Sequence, residues 1–322
     1  MNLKTYLVTG AAGFIGSAIA KKLIVIGHSV VTIDNLSTGI KSNIPNGVKL
    51  IEGDCQDEGV INQLINYEFD AIFHIAGQSS GEISFDNPVY DLQTNAQSTL
   101  LLLKLALKIN CTNFIFASTM SIYGDSGDEP VIENANLKPK SFYGVGKIAS
   151  EHYLNIYKEY GINCTSLRLF NVYGPGQNLK NLRQGMVSIF ISQAINSKEV
   201  LVKGSKTRYR DFVFIDDVVE AFIAANDKQI TGFRTINIST GIKTTVEELI
   251  AIIKTNLPFS FSVKYSGTTP GDQYGITGDS TLAQKELSWT SNTDLKIGIE
   301  KTCKWALKSL RLAQKNYSSS DK

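Results

Sequence analysis

Short apolar runs rich in β-branched and aromatic residues recur along the first part of the chain, separated by segments of helical periodicity. The runs occupy residues 6–8, 29–33, 48–53, 70–75 and 113–117. From about Pro88 to Leu107 a broad apolar face predicts a helix that is buried on two sides. Because strands that alternate with helices form a parallel sheet with helices on both faces, the pattern predicts a doubly wound α/β fold. Its ligand site is expected at the carboxyl ends of the strands.

The second half of the chain has a different order of elements. A short strand and four helices are predicted, at 199–203, 186–195, 217–225, 246–254 and 294–312. A capping box of Thr245 and Glu248 precedes the third of these helices. We therefore expect a first domain over 1–173, to which segments near 210–240 return. A smaller C-terminal α/β lobe over 174–322 is expected to close over a substrate.

Composition and charge exclude several classes of function. The 32 basic and 30 acidic residues are interspersed and leave a net charge of +2, so no nucleic-acid partner is expected. No apolar run approaches the roughly 20 residues of a membrane helix, and the N-terminus lacks a signal-peptide pattern. The four cysteines have no metal-ligand spacing, which fits reduced thiols. We expect a cytoplasmic protein with no membrane partner and no metal site.

A glycine-rich loop joins the first strand to the first helix. Gly10, Gly13 and Gly16 have the spacing that allows a tight turn and brings bare backbone next to a pyrophosphate at the helix N-terminus. An ordinary strand-to-helix turn is the alternative. The second strand ends at Asp34, about 20 residues further on, where a carboxylate can accept hydrogen bonds from ribose hydroxyls. The combination predicts a Rossmann domain that binds NAD in preference to NADP.

Candidate chemistry follows the fifth strand. Thr119 ends that strand, and Tyr143 and Lys147 lie four residues apart on one face of a predicted helix. A phenol with a pKa near 10 needs about 4 kcal/mol of stabilisation to lower that pKa by ~3, which an ammonium and an oxidised nicotinamide can supply. A chance pair is the alternative. The preceding glycine loop and acidic strand end favour the functional interpretation.

Two other strand ends carry candidate ligand contacts. Asp54 follows the third strand and could contact adenine or act as a turn carboxylate, and both interpretations remain open. Ala76, Gly77 and Gln78 follow the fourth strand, where small residues let a cofactor approach the sheet closely. His74, inside that strand, is interpreted as a packed core residue.

The motifs, taken in order, resemble the extended short-chain dehydrogenase/reductase superfamily and, within it, the nucleotide-sugar epimerase/dehydratase family. The matching segments run from Gly10 to about Trp289 and include Leu167–Pro175, Arg210–Val213 and Asp216–Asp217. The resemblance implies NAD as cofactor and a nucleotide sugar as substrate. It implies a catalytic set, a cofactor set and a substrate set of residues. The catalytic residues are Thr119, Tyr143 and Lys147; the cofactor residues are Gly10, Gly13, Phe14, Ile15, Gly16, Asp34, Asn35, Asp54, Cys55, Ala76, Gly77, Gln78, Asn95, Tyr143 and Lys147; the substrate residues are Ser79, Thr119, Asn171, Arg210, Asp272 and Ile276.

The resemblance also distinguishes between reactions. Dehydratases and decarboxylases of the family carry an acidic residue just after the strand-five threonine, whereas this chain has Met120 and Ser121. Epimerisation at C4 of a UDP-hexose or UDP-N-acetylhexosamine, through a transient 4-keto sugar, is therefore the leading hypothesis. A dehydratase or reductase, or a non-catalytic NAD-binding regulator, is the alternative. A homodimer formed through the helices after strands four and five is also expected.

Two positions near the C-terminus differ from the family or bear on its specificity. The family usually has Arg-x-Gly-Asp where this chain has Thr269-Pro-Gly-Asp272, so one positive charge is missing; Arg208 or another residue is expected to compensate. Ile276 falls where family members line the pocket beside the sugar C2 substituent. Its intermediate size favours acceptance of N-acetyl sugars, and simple core packing is an equal alternative.

Overall fold

The structure, a computed structural model, describes the backbone of residues 3–319 and the side chains of residues 3–310. The strands are β1 Thr5–Thr9, β2 Ser29–Asp34, β3 Lys49–Glu52, β4 Ala71–His74, β5 Asn113–Thr119, β6 Asn163–Leu169, β7 Asn171–Tyr173, β8 Glu199–Val202, β9 Tyr209–Arg210, β10 Phe212–Phe214, β11 Phe233–Ile238, β12 Thr244–Thr245 and β13 Ser262–Tyr265. The α-helices are α1 Phe14–Val25, α2 Glu58–Asn62, α3 Gly81–Ser84, α4 Pro88–Leu92, α5 Ser98–Lys108, α6 Phe142–Tyr157, α7 Met186–Ser197, α8 Ile215–Asp227, α9 Val246–Asn256, α10 Thr281–Leu287 and α11 Leu295–Ser319.

Seven parallel strands form the main sheet, in the order β11-β6-β5-β4-β1-β2-β3. The chain runs outward from β1 to β3 and then restarts at β4 on the other side of β1. This reversal opens a crevice at the carboxyl ends of β1 and β4. The prediction of a doubly wound parallel sheet is confirmed. The segment Phe233–Ile238, from the second half of the chain, forms the edge of this sheet next to β6.

Alternating side chains of the strands pack into two hydrophobic cores, one on each face of the sheet. Tyr6 and Val8 of β1 belong to one core, and Leu7 between them belongs to the other. Such alternation follows from the two-residue period of a strand. Helices α1 and α8 pack together, while α5 packs with α2 and α6. Both faces of the central strands are buried, which explains why their sequences read as nearly continuous apolar runs.

The helix predicted from Pro88 to Leu107 is interrupted. Helices α4 and α5 are joined by a π-helical turn at Gln93–Gln97. The backbone carbonyl of Asn95 in this turn accepts hydrogen bonds from the hydroxyls of Thr99 (2.6 Å) and Ser150 (3.1 Å). These side-chain donors compete for a carbonyl that an α-helix would use, and π-turns of this kind often lie at functional sites.

The remaining elements form small paired strands and a helical layer. Strand β10 pairs with β7, β12 with β9 and β13 with β8, and helices α7, α9 and α11 pack on one another. The capping box of Thr245 and Glu248 is present at α9. Helix α11 is longer than predicted and reaches Ser319, and residues 320–322 lie outside the described residues. Within the described range, no helix combines the length and apolarity needed to cross a bilayer.

Candidate functional site

A cleft of about 650 Å³ opens at the carboxyl ends of the main-sheet strands. Loops and helices of the second half of the chain form its other wall. Nineteen of the residues assigned from the sequence line it: Gly10, Gly13, Phe14, Ile15, Gly16, Asp34, Asn35, Asp54, Cys55, Ala76, Gly77, Gln78, Ser79, Thr119, Tyr143, Lys147, Asn171, Arg210 and Asp272. Asn95 and Ile276 are not among the residues that line it.

The glycine loop fits a dinucleotide phosphate. Gly10 has a φ of +76°, a conformation that favours glycine. A Cβ atom on Gly16 would lie 2.2 Å from the carbonyl oxygen of Gly10, so only glycine lets α1 start this close to β1. No side chain caps α1 and its first turn holds no acidic residue, so its amino end faces the cleft with free backbone N–H groups. These features match what a pyrophosphate requires.

The carboxylate of Asp34 is fixed at the end of β2. It accepts hydrogen bonds from the backbone N–H of Ala12 (2.8 Å) and of Leu36 (2.9 Å). Each carboxylate oxygen keeps a further acceptor site for a ribose hydroxyl. Asp54 accepts hydrogen bonds from the Asn35 side chain (2.7 Å) and from a backbone N–H two residues later in the chain, so it is a turn carboxylate that also borders the cleft.

Asn95 supports the cleft wall from behind. Its side-chain amide donates to the carbonyl of Gln78 (3.0 Å) and to the carboxylate of Asp91 (3.3 Å). A Cβ on Gly77 would lie 2.6 Å from Oδ1 of Asn95, an oxygen that is buried with no hydrogen-bond partner among the described residues. The structure thus places Asn95 behind the loop that lines the cleft, where it sets the position of that loop.

The three residues assigned to catalysis meet in the cleft. Burial raises the pKa of Tyr143 to about 12, and a hydrogen bond with Thr119 opposes this rise. The ammonium of Lys147 donates to the carbonyl of Ala117 (2.9 Å) and lies 5.9 Å from the centre of the Tyr143 ring. Burial lowers the pKa of Lys147 to about 8, although the nearby carboxylates of Asp91 and Glu151 raise it. A hydroxyl, a phenol and an ammonium thus face one space.

His74 lies beneath this space, fully buried in β4. One ring nitrogen is 3.0 Å from the hydroxyl of Thr9 and the other is 3.2 Å from the hydroxyl of Thr99. Burial and the charge of Lys147 hold the pKa of His74 well below its usual range. The interpretation of His74 as a core residue therefore agrees with its place in the structure.

At the far end of the cleft, Arg210 and Asp272 form an ion pair. Arg210 also donates to the carbonyls of Tyr209 (2.7 Å) and Gln273 (2.7 Å). The side-chain amide of Asn171 contacts Sδ of Met120 (3.5 Å), the residue after Thr119, and donates to the carbonyl of Asp211 (3.2 Å).

Of the two interpretations left open for Ile276, the structure agrees with core packing and not with a place in the pocket. Its side chain is fully buried in the hydrophobic core, and it is absent from the residues that line the cleft. Core packing, the alternative interpretation, describes its surroundings. A β-bridge between Tyr209 and Gly275 holds the adjacent backbone, and this long-range contact directs the isoleucine into the core.

Several cleft residues were not found from the sequence. The loop after β7 contributes Gln177, Arg183 and Gln184. The hydroxyl of Ser80 donates to the carbonyl of Arg183 (2.9 Å), and the Gln184 amide donates to the hydroxyl of Ser79, so this loop bridges the cleft. No periodicity or motif marked these residues, because their role depends on contacts about a hundred positions apart in the chain.

Known proteins are similar to this chain in sequence and in fold. Residues 6–239 match the family described as NAD dependent epimerase/dehydratase. UDP-glucose 4-epimerase of Mycolicibacterium smegmatis is 33% identical over 92% of this chain and 96% of its own length. The crystal structure of UDP-glucose 4-epimerase from Thermotoga maritima, with UDP-glucose, is 34% identical, with a TM-score of 0.91 over 95% of this chain and 99% of that one. UDP-N-acetylglucosamine 4-epimerase from Methanobrevibacter ruminantium, in complex with UDP-N-acetylmuramic acid, is 30% identical, with a TM-score of 0.89 over 96% of this chain and 100% of that one. The chain therefore belongs to the NAD-dependent epimerase/dehydratase family.

Proposed function

We propose that the protein is a nucleotide-sugar 4-epimerase that uses tightly bound NAD. The observation that carries this proposal is the convergence of Thr119, Tyr143 and Lys147 on one cleft in a chain of this family. The two residues after Thr119 are Met120 and Ser121, so neither supplies the carboxyl group that would protonate a leaving hydroxyl. Elimination is therefore disfavoured relative to reversible oxidation at C4.

The chain's own residues move the proton. Tyr143 accepts the proton of the sugar C4 hydroxyl and later returns it, and Thr119 hydrogen-bonds the same hydroxyl. Lys147 provides a positive charge that stabilises the tyrosinate form. When bound, NAD would accept the C4 hydride and return it. Return of the hydride to the opposite face of the 4-keto sugar would invert C4.

The cofactor site is proposed to extend from the glycine loop to the catalytic residues. Gly10, Gly13 and Gly16 hold the pyrophosphate, with Phe14 and Ile15 at the start of α1 beside it. Asp34 binds the adenine ribose and repels a 2′-phosphate, which favours NAD over NADP. Asn35, Asp54 and Cys55 border the adenine; Ala76, Gly77 and Gln78 border the nicotinamide half, where Lys147 holds the ribose.

UDP-glucose and UDP-N-acetylglucosamine are the proposed substrates. The support is that the similar proteins named above are 4-epimerases of these two sugars. Ser79 and Asn171 are proposed to contact the sugar nucleotide, and Arg210 to bind its diphosphate through a guanidinium fork. Asp272 holds Arg210 in place. Because Ile276 lies in the core, acceptance of the N-acetyl sugar rests on the relatives and not on this residue.

A homodimer in the cytoplasm is also proposed. Helices α4 and α6 pack side by side and carry exposed apolar side chains, including Leu92 and Val145, each more than half exposed. Such a patch is typical of a subunit interface. The cytoplasmic location is supported by the four cysteines, which are buried and form no disulfide within the described residues.

The direct test is conversion of UDP-glucose to UDP-galactose by the purified protein without added NAD, followed by proton NMR. Interconversion to a mixture of both sugars is expected. A 4-keto-6-deoxy product would indicate a dehydratase, and conversion that requires a stoichiometric reduced cofactor would indicate a reductase. NAD binding without any turnover of either UDP-hexose or UDP-N-acetylhexosamine would indicate a regulator.

A further inference from the structure

Two arginines in the cleft share a single carboxylate. Arg208 and Arg210 both line the cleft, and both form ion pairs with Asp272. Their side chains are only 10% and 4% exposed. The carboxylate of Asp125 also attracts Arg210, but it is itself paired with Lys140. The three cations and two carboxylates therefore leave one positive charge uncompensated. An uncompensated buried positive charge destabilises the protein unless an anion neutralises it. The cluster is therefore suited to a negatively charged ligand.

Burial and the repulsion between the two arginines lower the pKa of Arg210 to about 10. The two like charges therefore oppose each other across Asp272. A diphosphate, which brings two negative charges, would relieve this repulsion and could receive hydrogen bonds from both arginines.

The guanidinium of Arg208 is held by the surrounding backbone. Gly204 has a φ of +96°, and a Cβ at this position would lie 3.1 Å from Nε of Arg208. The glycine thus lets the guanidinium pack directly on the chain. The backbone carbonyl of Arg208 accepts a hydrogen bond from Val246 (2.8 Å), which anchors β9. Nε of Arg208 donates to the carbonyl of Ser205 (3.4 Å) and Nη1 pairs with Asp272, which leaves the N–H groups of Nη2 as donors for a ligand oxygen.

The loop that carries Asp272 brings no further positive charge to this pair of arginines. Thr269 also lines the cleft, and its carbonyl accepts a hydrogen bond from the backbone N–H of Asp272 (3.1 Å). Threonine at this position brings no charge to the cluster. We propose that Arg208 binds the diphosphate of the nucleotide sugar together with Arg210, and so replaces the positive charge that Thr269 lacks. This inference rests on the proposed function, because it presupposes a nucleoside diphosphate ligand.

The test compares UDP with uridine as ligands of the NAD-loaded protein, by titration calorimetry. Arg208→Gln should weaken UDP binding by about tenfold to a hundredfold, the effect of losing a charged hydrogen bond. Uridine, which lacks phosphate, should bind within about twofold of wild type. Arg234→Gln is the matched control, because Arg234 is a largely buried arginine that pairs with Glu286 outside the cleft. This control should bind UDP like wild type.

Each outcome decides a separate question. Equal UDP affinity in wild type and Arg208→Gln, or an equal loss for UDP and uridine, would overturn the role of Arg208. Thr269→Arg in the Arg208→Gln background should restore UDP affinity, and unchanged weak binding would overturn the replacement of charge between these two positions. Folding of each variant is checked by circular dichroism, and Arg208→Lys, which keeps the charge, should lose less affinity than Arg208→Gln if folding is intact. Absence of UDP binding to wild type would refute the proposed function itself.

Discussion

At the scale of single residues, the chemistry depends on how the buried phenol of Tyr143 loses its proton. Burial raises its pKa to about 12, so at neutral pH the free protein holds Tyr143 protonated. The ammonium of Lys147 is close, yet burial lowers its own pKa to about 8. When bound, the oxidised cofactor would add a second positive charge that stabilises the tyrosinate. Proton removal would then be coupled to the presence of NAD.

The first prediction concerns the phenol itself. Tyr143→Phe should keep the fold and NAD binding, because the ring still packs, but should lose about 10²- to 10⁴-fold in kcat, since the proton acceptor is gone. Steady-state kinetics and circular dichroism of the same preparation measure both properties. Activity equal to wild type would place the base elsewhere.

The second prediction concerns the pH dependence set by Lys147. Its lowered pKa means that the ammonium is present below about pH 8 and is lost as the pH rises through that value. Loss of this charge removes stabilisation of the tyrosinate, so kcat/KM should fall above about pH 8. In Lys147→Arg, which stays charged, whatever rate remains should not fall in this range. Ionisation of Tyr143 affects both proteins, so the ratio of the two rates is the test. A wild-type rate that does not fall relative to Lys147→Arg from pH 8 to pH 10 would contradict the assignment.

The position of a site residue could be predicted from the sequence where that residue ends its strand. Thr119 ends β5 and Asp34 ends β2, so the parallel sheet alone brings them to one edge. The sequence left the position of Ile276 open between pocket and core, because that position depends on a bridge between Tyr209 and Gly275, far apart in the chain. Counting residues along a loop cannot show which way a side chain points when such a contact sets the backbone.

At the scale of elements, the first five strands were predicted closely because local hydrophobic periodicity determines them. The second and fifth predicted runs, 29–33 and 113–117, differ from β2 and β5 only at their carboxyl ends. The π-turn at Gln93–Gln97 was not predicted. It depends on hydrogen bonds to the carbonyl of Asn95, one of them from Ser150 of another helix. The periodicity of apolar residues in one helix gives no information about a donor in another.

The third prediction belongs to the unit formed by β1, α1 and β2. Protein freed of cofactor should bind NAD at least about tenfold more tightly than NADP, because the 2′-phosphate of NADP would face the carboxylate of Asp34. Asp34→Asn removes the charge and keeps only one of the two oxygens, which accept separately from the backbone N–H groups of Ala12 and Leu36. Because that lost hydrogen bond affects the binding of both dinucleotides, the ratio of their affinities is the quantity compared. This variant should discriminate less, and equal affinities of wild type for the two dinucleotides would contradict the role of Asp34.

At the scale of the whole molecule, the two ends of the cleft differ in how far the sequence could predict them. The cofactor end consists of short motifs that follow consecutive strands. The substrate end is assembled from distant loops, as the contacts of Ser79 with Gln184 and of Arg210 with Asp272 illustrate. Only the resemblance to a family, and not periodicity, could indicate residues there. The division of the chain at residues 173 and 174 stays a prediction.

The fourth prediction concerns assembly. Val145→Glu on α6 should convert the proposed dimer to a monomer, because an unpaired charge would be buried in an apolar interface. Val25→Glu on α1 is the control, since Val25 is also highly exposed and α1 packs against α8, away from α4 and α6. Light scattering after size-exclusion chromatography measures the mass. A monomeric wild type, or a Val145→Glu dimer, would contradict this interface.

A 4-epimerase of this kind returns to C4 the same hydride that was removed from it. Whether this protein does so can be measured by incubating it with UDP-glucose in deuterated water, without added NAD, and examining the recovered sugars by NMR and mass spectrometry. We expect UDP-galactose with no deuterium bound to any ring carbon or to C6. Carbon-bound deuterium in the product would require exchange with solvent through enolisation or dehydration, and would rule out return of the same hydride.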